Sequence, residues 1–268
     1  MPEVKMPEHV RLLIAWIRLI IARGAFGDDK SHMSLLPYDL MFSRIEQICT
    51  YAFAEPNEYI RILIEVNEPY HFRIIIQENE RFSKDRYIIL AAVRWDGCVL
   101  EYASPELRGD PEVVLAAVKH AGYALKFASP ELRGDRRVVM EAVRQDGYAL
   151  EYASQELRGD LEIVQVAIKH SNGYALEYAD EKLRGDRDIV LDAVHLNGYA
   201  FKYADEKLRG DRAIFLAAVR WDGCVLEYAS SELRGDRDIV LEALKHSHGY
   251  ALQYATEELL TQLKKERY

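Results

Sequence analysis

The 268-residue sequence has few cysteines and an excess of acidic over basic residues. Its three cysteines, Cys49, Cys98 and Cys224, are too few for the disulfide framework of a small secreted protein. The formal net charge of -9 argues against broad attraction to nucleic acid or anionic lipid, because both need a cationic footprint on the protein. We therefore expect a folded protein of a reducing compartment, with nucleic-acid binding disfavoured.

The chain also lacks a long uninterrupted apolar run. Its most apolar stretch, from Val10 to Arg23, contains Arg18 and is shorter than the roughly 20 residues needed to span a bilayer. Glu3 and Glu8 dilute the positive start that a signal peptide requires. These features predict no membrane span, no signal peptide and a cytoplasmic location.

Internal repetition is what the sequence has in abundance. The tetrapeptide LRGD recurs six times, and the aspartates that close the copies are 25 residues apart, with one step of 26. A further copy begins at Asp85, where FSKD replaces LRGD. Seven tandem repeats are therefore predicted over residues 85–261, and we number them 1 to 7. The aspartates predicted to cap their helices are Asp85, Asp110, Asp135, Asp160, Asp186, Asp211 and Asp236.

Repeat 2 shows why the pattern is helical. Asp110 and Pro111 are typical of a helix start, and apolar residues recur on one helical face from Val113 to Val118. Gly122 ends this helix, a second short helix follows, and SPEL adds a tight turn. About 25 residues cannot bury enough apolar surface alone, but stacked copies share a core. The sequence predicts an all-α solenoid of about seven helix-pair repeats with an N-terminal helical cap.

Each LRGD contains Arg-Gly-Asp, the tripeptide that integrins recognise. An integrin ligand must offer its aspartate to a metal ion, whereas a capping aspartate already accepts hydrogen bonds from a helix N-terminus. Gly109 is expected to supply the backbone angle that ends a turn. Arg108 and its equivalents are expected to pair with acidic neighbours such as Glu106 in a ladder. We therefore interpret the tripeptide as structural and integrin binding as disfavoured.

The repeats resemble the family known as domain of unknown function 4116, whose units share the run LRGDxxVVLxAVxxxGxALxYAS. The stretch LRGDPEVVLAAVKHAGYALKFAS, from Leu107 to Ser129, matches that run nearly throughout. The resemblance implies a repeat fold and carries no assigned activity. Such repeats occur mostly in protists, algae, large viruses and some intracellular bacteria, which implies an interaction module, located in the host cytosol if the protein is a viral or bacterial effector.

Any function peculiar to this chain is expected where the copies differ. The clearest variable row lies at the end of the first helix of each repeat. Its large aromatic and imidazole groups predict a surface that binds a partner, and packing between neighbouring helix ends is the alternative. The predicted partner-binding residues are Trp95, His120, Gln145, His170, Leu196, Trp221 and His246, with Trp16 near the start of the chain.

A basic or titratable residue precedes every member of that variable row. The dipole of a helix favours cations at its C-terminus, which is sufficient to explain the row. A weaker alternative is that the row follows the backbone of a single-stranded nucleic acid. The row consists of Arg94, Lys119, Arg144, Lys169, His195, Arg220 and Lys245.

We expect neither a metal ion nor a cofactor. The histidines of the variable row are at least two repeats apart, too far to converge on one ion. No nucleophile with a base, phosphate-binding glycine loop or paired-carboxylate motif stands apart from the repeat pattern. The leading hypothesis is therefore a non-catalytic protein–protein interaction scaffold whose protein partner is unidentified.

The flanking segments carry a second hypothesis. Residues 1–57 are predicted to form a helical cap or a docking segment, residues 58–84 resemble a degenerate repeat, and residues 262–268 form a C-terminal tail. Leu36, Pro37 and Leu40 begin a motif similar to an F-box, although the pattern departs from that family after Ile45. The alternative function is thus a ubiquitin-ligase adaptor whose repeats recognise the substrate.

Overall fold

The computed structural model describes residue 76 and residues 80–265. Every regular element in that part of the chain is helical, and the predicted all-α repeat fold is confirmed. Each repeat begins with a long α-helix, and its capping aspartate accepts a hydrogen bond from backbone N–H groups of the first turn. The long helices are Arg86–Trp95, Pro111–His120, Arg136–Gln145, Leu161–His170, Arg187–Leu196, Arg212–Val219 and Arg237–Lys245.

The second helix of each repeat is a 3-10 helix. In repeat 2, Gly122, Leu125 and Ala128 recur every third residue and are all buried. That spacing places them on one side of a helix with three residues per turn. The 3-10 helices are Gly97–Tyr102, Gly122–Phe127, Gly147–Tyr152, Tyr174–Tyr178, Gly198–Tyr203, Gly223–Tyr228 and Tyr250–Tyr254.

A third, short helical segment closes each repeat where a tight turn was predicted. In repeat 1 it is capped by Ser104, whose Oγ accepts a hydrogen bond from the backbone N–H of Leu107. A helix of the same kind, Glu80–Lys84, precedes repeat 1. The closing segments are Pro105–Arg108, Pro130–Arg133, Gln155–Arg158, Glu181–Arg184, Leu208–Gly210, Ser231–Gly235 and the longer Glu257–Lys265.

The repeats stack in two layers around one continuous core. Long helices pack against the long helices of neighbouring repeats, 3-10 helices pack against 3-10 helices, and the two layers face each other. In repeat 2, Val114, Val118 and Leu125 have no exposed surface. Burying an aliphatic side chain of this size stabilises a protein by about 1.5 to 3 kcal/mol. Because each repeat completes its neighbour's core, the stack is stabilised by its junctions.

Backbone contacts at each junction fix the distance between repeats. The N–H of Ser129 donates to the carbonyl of Arg108 at 2.9 Å, and the same contact recurs at every later junction. The glycine after each long helix lies close to the next repeat. A Cβ added at Gly122 would be 2.4 Å from the carbonyl oxygen of Ala142. The small residues of the repeat are therefore required by close backbone approach.

The glycine of the LRGD segment has a different conformation from the one expected. Gly109 has φ -98° and ψ 0°, a conformation open to any residue. The glycines that need a positive φ are Gly173 and Gly249. They lie in repeats 4 and 7, where the glycine is 13 residues after the capping aspartate and not 12 as in the other repeats. The expectation for Gly109 was wrong because consecutive short and long helices connect here through right-handed and extended backbone alone.

The ion-pair ladder uses a different arginine from the one predicted. Arg86, next to the cap, donates from Nε to Asp110 of the following repeat at 2.7 Å. Equivalent pairs are Arg136 with Asp160, Arg187 with Asp211 and Arg212 with Asp236. Among the described residues no ion pair joins Arg108 to Glu106, so that prediction was wrong. The LRGD arginines of later copies instead bury their Nε atoms without a hydrogen-bond partner: Arg133, Arg158, Arg184, Arg209 and Arg234.

Candidate interaction surface

The predicted partner-binding row lies at the C-terminal ends of the long helices. Leu196 is half-buried and packs against the core. The other six members are exposed: Trp95, His120, Gln145, His170, Trp221 and His246. Trp16 lies outside the described residues.

The same row also closes the junctions between repeats. The Nδ1 atom of His120 accepts a hydrogen bond from the backbone N–H of Gly97 at 3.2 Å. A Cβ added at Gly198 would lie 2.7 Å from the Cβ of Trp221. Members of the row therefore pack on the glycine of the preceding repeat and still face solvent, so the two alternatives of the sequence analysis are not exclusive.

A second set of aromatic residues, which the sequence analysis missed, continues this surface. The residue after the glycine that begins or precedes each 3-10 helix is tyrosine, except in repeats 1 and 6. In those two repeats it is cysteine, and a tryptophan lies two residues before the glycine. Every repeat thus carries one large aromatic side chain at the corner between its two helices. We call this set the corner ridge: Trp95, Tyr123, Tyr148, Tyr174, Tyr199, Trp221 and Tyr250.

Five members of the corner ridge are exposed, and the exposed fraction ranges from 38% for Tyr123 to 71% for Tyr250. Tyr174 and Tyr199 are half-buried. The signal in the sequence was that a repeat with cysteine in place of this tyrosine has a tryptophan three residues earlier. It was overlooked because the tyrosines recur in most copies and were assigned to the repeat itself.

Contacts between repeats hold the ridge tyrosines in place. The ring of Tyr123 meets that of Tyr152 edge-on with 5.2 Å between centroids, and the rings of Tyr148 and Tyr174 are stacked at 6.4 Å. The hydroxyl of Tyr199 donates to Asp222 of the next repeat, and this hydrogen bond, together with burial, raises the pKa of Tyr199 to about 12. Side chains held in this way lose little conformational entropy when a partner binds.

Charged side chains flank the ridge on both sides. All seven members of the basic row are exposed. Lys245 pairs with Glu242 at 2.8 Å. Within residues 80–265 five others make no ion pair: Arg94, Lys119, Arg144, Lys169 and Arg220. The flank on the 3-10 helices is mainly acidic and includes the exposed Glu101, Glu151, Glu177 and Glu227. It is interrupted by the exposed Lys126 and the half-buried Lys202.

The aspartate of the Arg-Gly-Asp tripeptide is engaged in the fold. One oxygen of Asp110 accepts from the N–H groups of Glu112 and Val113, and the other accepts from Nε of Arg86. The hydrogen bond from Arg86 is the main cause that holds the pKa of Asp110 below its ordinary value. This carboxylate is thus both a helix cap and a link between repeats.

In the part that the structure describes, no three or more His, Cys, Asp or Glu side chains are grouped so as to hold a metal ion. No helix in that part is both long and apolar enough to cross a bilayer. The F-box-like residues Leu36, Pro37 and Leu40 fall outside the described residues.

Comparison with known proteins agrees with the repeat boundaries. The family "Domain of unknown function (DUF4116)" matches residues 85–133, 135–184, 170–209, 186–234 and 211–260. The chain belongs to this family. Four of the five DUF4116 matches begin at a capping aspartate, so one family unit corresponds to about two structural repeats. No curated protein and no solved structure matches the chain significantly.

Proposed function

We propose that this protein is a non-catalytic scaffold that binds another protein along the corner ridge. The observation that carries the proposal is that every repeat presents one large aromatic side chain at the same corner. Tyrosine and tryptophan dominate binding energy at many interfaces, and they supply large contact area at a low entropic cost. A ridge of seven such groups on a repetitive support is suited to recognition.

The spacing of the ridge favours an extended partner segment. Neighbouring packed helices are about 8 to 10 Å apart, and an extended chain advances about 3.3 Å per residue. A partner strand lying along the ridge would therefore place roughly every third side chain opposite a new repeat. The basic row on one side and the mainly acidic flank on the other would set its direction, because complementary charges specify register.

The exposed basic row also favours a second candidate, a single-stranded nucleic acid whose bases stack on the ridge. Five cations of the row have no ion-pair partner among the described residues, and they lie beside aromatic rings. The net charge of -9 opposes this candidate, since nucleic-acid binding depends on an excess of cationic contacts. We therefore place protein recognition first.

The test is affinity recovery from the native cytosol with two matched full-length variants. In the ridge variant, Tyr123, Tyr148 and Trp221 are changed to alanine. In the control variant, Tyr87 and Leu161 are changed to alanine, because both are exposed on long helices away from the ridge, at 76% and 51%. We expect the ridge variant to lose the partner, since truncating a central aromatic residue costs about 2 kcal/mol or more, and the control variant to retain it.

The proposal is contradicted if both variants recover the same proteins while circular dichroism shows both to be folded. The nucleic-acid candidate is tested separately, by the fluorescence anisotropy of a labelled oligothymidine titrated with the intact protein. Binding that weakens steeply as salt rises, and that requires the ridge, would favour that candidate over a protein partner.

A further inference from the structure

The C-terminal end of the repeat stack exposes a core position that every other repeat buries. Leu252 of repeat 7 is 38% exposed. The equivalent residues of repeats 1 to 6 have no exposed surface: Leu100, Leu125, Leu150, Leu176, Phe201 and Leu226. Leu244 of the last long helix is half-buried, although its six equivalents are buried. The face that receives the next repeat elsewhere in the stack is therefore open at this end.

The glycines show the same difference at the level of the backbone. In repeats 1 to 6, a Cβ added at the glycine after the long helix would lie 1.8 to 2.6 Å from an alanine carbonyl oxygen of the next repeat. At Gly249 of repeat 7, such a Cβ meets nothing within 4 Å. The closing helix Glu257–Lys265 thus does not take the position that a following long helix occupies at the other junctions.

An open groove runs along this end. It is lined by Asp238, Leu241, Glu242, Leu244 and Lys245 of the last long helix, and Leu241 is 40% exposed. The six internal junctions show what such a face accepts, namely a helix of about ten residues that packs on both the preceding long helix and the preceding 3-10 helix. The natural occupant is therefore an apolar helix.

We propose that residues 10–22 of this chain form that helix and pack on the C-terminal end of the stack. They are the most apolar stretch of the sequence and have helical spacing. Thirteen residues give a helix of about 20 Å, enough to cover the ten-residue helices seen in the stack. Arg11, Ala15 and Arg18 fall on one side of that helix, and the remaining, wider side is apolar. A wide apolar side suits a face built from two helices.

Charge and reach are consistent with this occupant. Asp238 and Glu242 line the groove. Glu242 pairs with Lys245, and Asp238, which makes no ion pair within residues 80–265, is the carboxylate that would face an arginine of the occupant. Seven repeats at about 8 to 10 Å each extend for about 60 to 70 Å. The 53 residues between the proposed helix and Ile76, residues 23–75, can span up to about 175 Å. The segment can therefore reach the far end of its own stack.

Trp16, in the middle of the proposed helix, provides the test. The protein has three tryptophans, so changing Trp95 and Trp221 to phenylalanine leaves Trp16 as the only one in the full-length chain. In this background we expect blue-shifted Trp16 emission and weak quenching by acrylamide. Adding Leu252→Glu should shift the emission to longer wavelength and increase the quenching, because a carboxylate would enter the contact. Leu241→Glu is a second variant with the same expected effect.

Leu161→Glu is the matched control, because Leu161 is exposed on the long helix of repeat 4. It should leave Trp16 emission unchanged, and circular dichroism should show all variants to be folded. The proposal is overturned if Leu252→Glu and Leu241→Glu both leave Trp16 unaffected. It is also overturned if light scattering shows a dimer that Leu252→Glu dissociates without moving Trp16 emission, since a second copy would then cover the end.

Discussion

The structural role of a residue type in this chain depends on its position in the repeat, and glycine is the clearest case. The glycine of LRGD adopts ordinary right-handed angles, and a Cβ at Gly109 would make only a contact of 3.4 Å with the carbonyl of Glu106. The glycine after the long helix lies against the backbone of the next repeat. The most recognisable glycine of the sequence is therefore not the one that the fold requires.

Alanine substitutions separate these two glycines. Gly122→Ala would place its Cβ 2.4 Å from a backbone carbonyl oxygen, and we expect a loss of about 1 to 3 kcal/mol of unfolding free energy from overpacking. Gly109→Ala should be neutral or should stabilise by up to about 1 kcal/mol, because alanine restricts the unfolded chain. Urea unfolding followed by circular dichroism measures both, and equal effects would contradict this assignment.

The capping aspartates predict how stability depends on pH. Hydrogen bonds hold the pKa of Asp110, Asp160 and Asp236 below the ordinary value: chiefly the one from Arg86 at Asp110, and those from the backbone N–H groups of Ile163 and Ile239 at the other two. A carboxyl whose pKa is lowered by folding stabilises the protein above its unfolded pKa of about 3.9. That stabilisation is lost as pH falls through the folded pKa.

We therefore expect the urea midpoint to be constant near neutral pH and to fall below about pH 4. Asp110→Asn keeps a capping side chain and removes one titrating group. The acid-induced decrease should be smaller in this variant, although its stability at pH 7 should be lower because the pair with Arg86 is lost. A midpoint that does not change between pH 7 and pH 3 in the wild-type protein would refute the argument.

At the scale of the helix, the start of each long helix was predictable from sequence and the type of the second helix was not. Asp110 and Pro111 are local signals for a helix N-terminus, and a local side chain supplies the hydrogen bonds. The 3-10 form of Gly122–Phe127 depends on packing against neighbouring repeats on both sides, which no window of sequence contains. The segment has only six residues, which is too few for the sequence pattern to distinguish a three-residue period from the 3.6-residue period of an α-helix.

Repeat 2 offers a test of capping in the 3-10 helices. Asp146 Oδ1 accepts a hydrogen bond from the N–H of Tyr148 at 3.0 Å, whereas Ala121, at the equivalent position, makes no side-chain cap. Their backbone angles agree closely, φ -143° and ψ 107° for Ala121 against φ -149° and ψ 110° for Asp146. Ala121→Asp should therefore stabilise by about 0.5 to 1 kcal/mol.

Asp146→Ala is the converse variant and should destabilise by a similar amount. Thermal unfolding of the two variants and of the wild-type protein decides the question. A change of the same sign in both would show that side-chain capping does not control these helices.

At the scale of the whole molecule, the ends of the stack differ from its middle. Leu150→Ala would open a cavity in a fully buried core, and we expect it to cost about 2 to 5 kcal/mol. Leu252→Ala changes the equivalent residue at the open end, where 38% of the side chain is already exposed. Its cost should be smaller, because residues 10–22 would cover it with one helix, whereas an internal repeat receives both the long helix and the 3-10 helix of the next one. Equal losses of unfolding free energy would show that repeat 7 is as well enclosed as repeat 3.

The candidate surface was only partly predictable from the sequence, because part of it depends on how the whole molecule is assembled. Trp95 and His120 could be recognised as variable and exposed because the copies can be compared within one chain. The corner ridge can be seen only when the fold brings the end of the long helix and the start of the 3-10 helix together. At that corner Trp221 is exposed and Tyr199 of the preceding repeat is half-buried. This arrangement depends on how the repeats stack, and it cannot be read from the sequence of a single repeat.

Site-specific photo-cross-linking in a lysate of the native cell tests the central proposal most directly. A photoreactive phenylalanine analogue would replace Tyr148 or Trp221 on the corner ridge, or Tyr87 on the long-helix surface as the control. We predict that both ridge positions capture the same partner protein and that Tyr87 does not. Capture from Tyr87 with none from either ridge position would contradict the account.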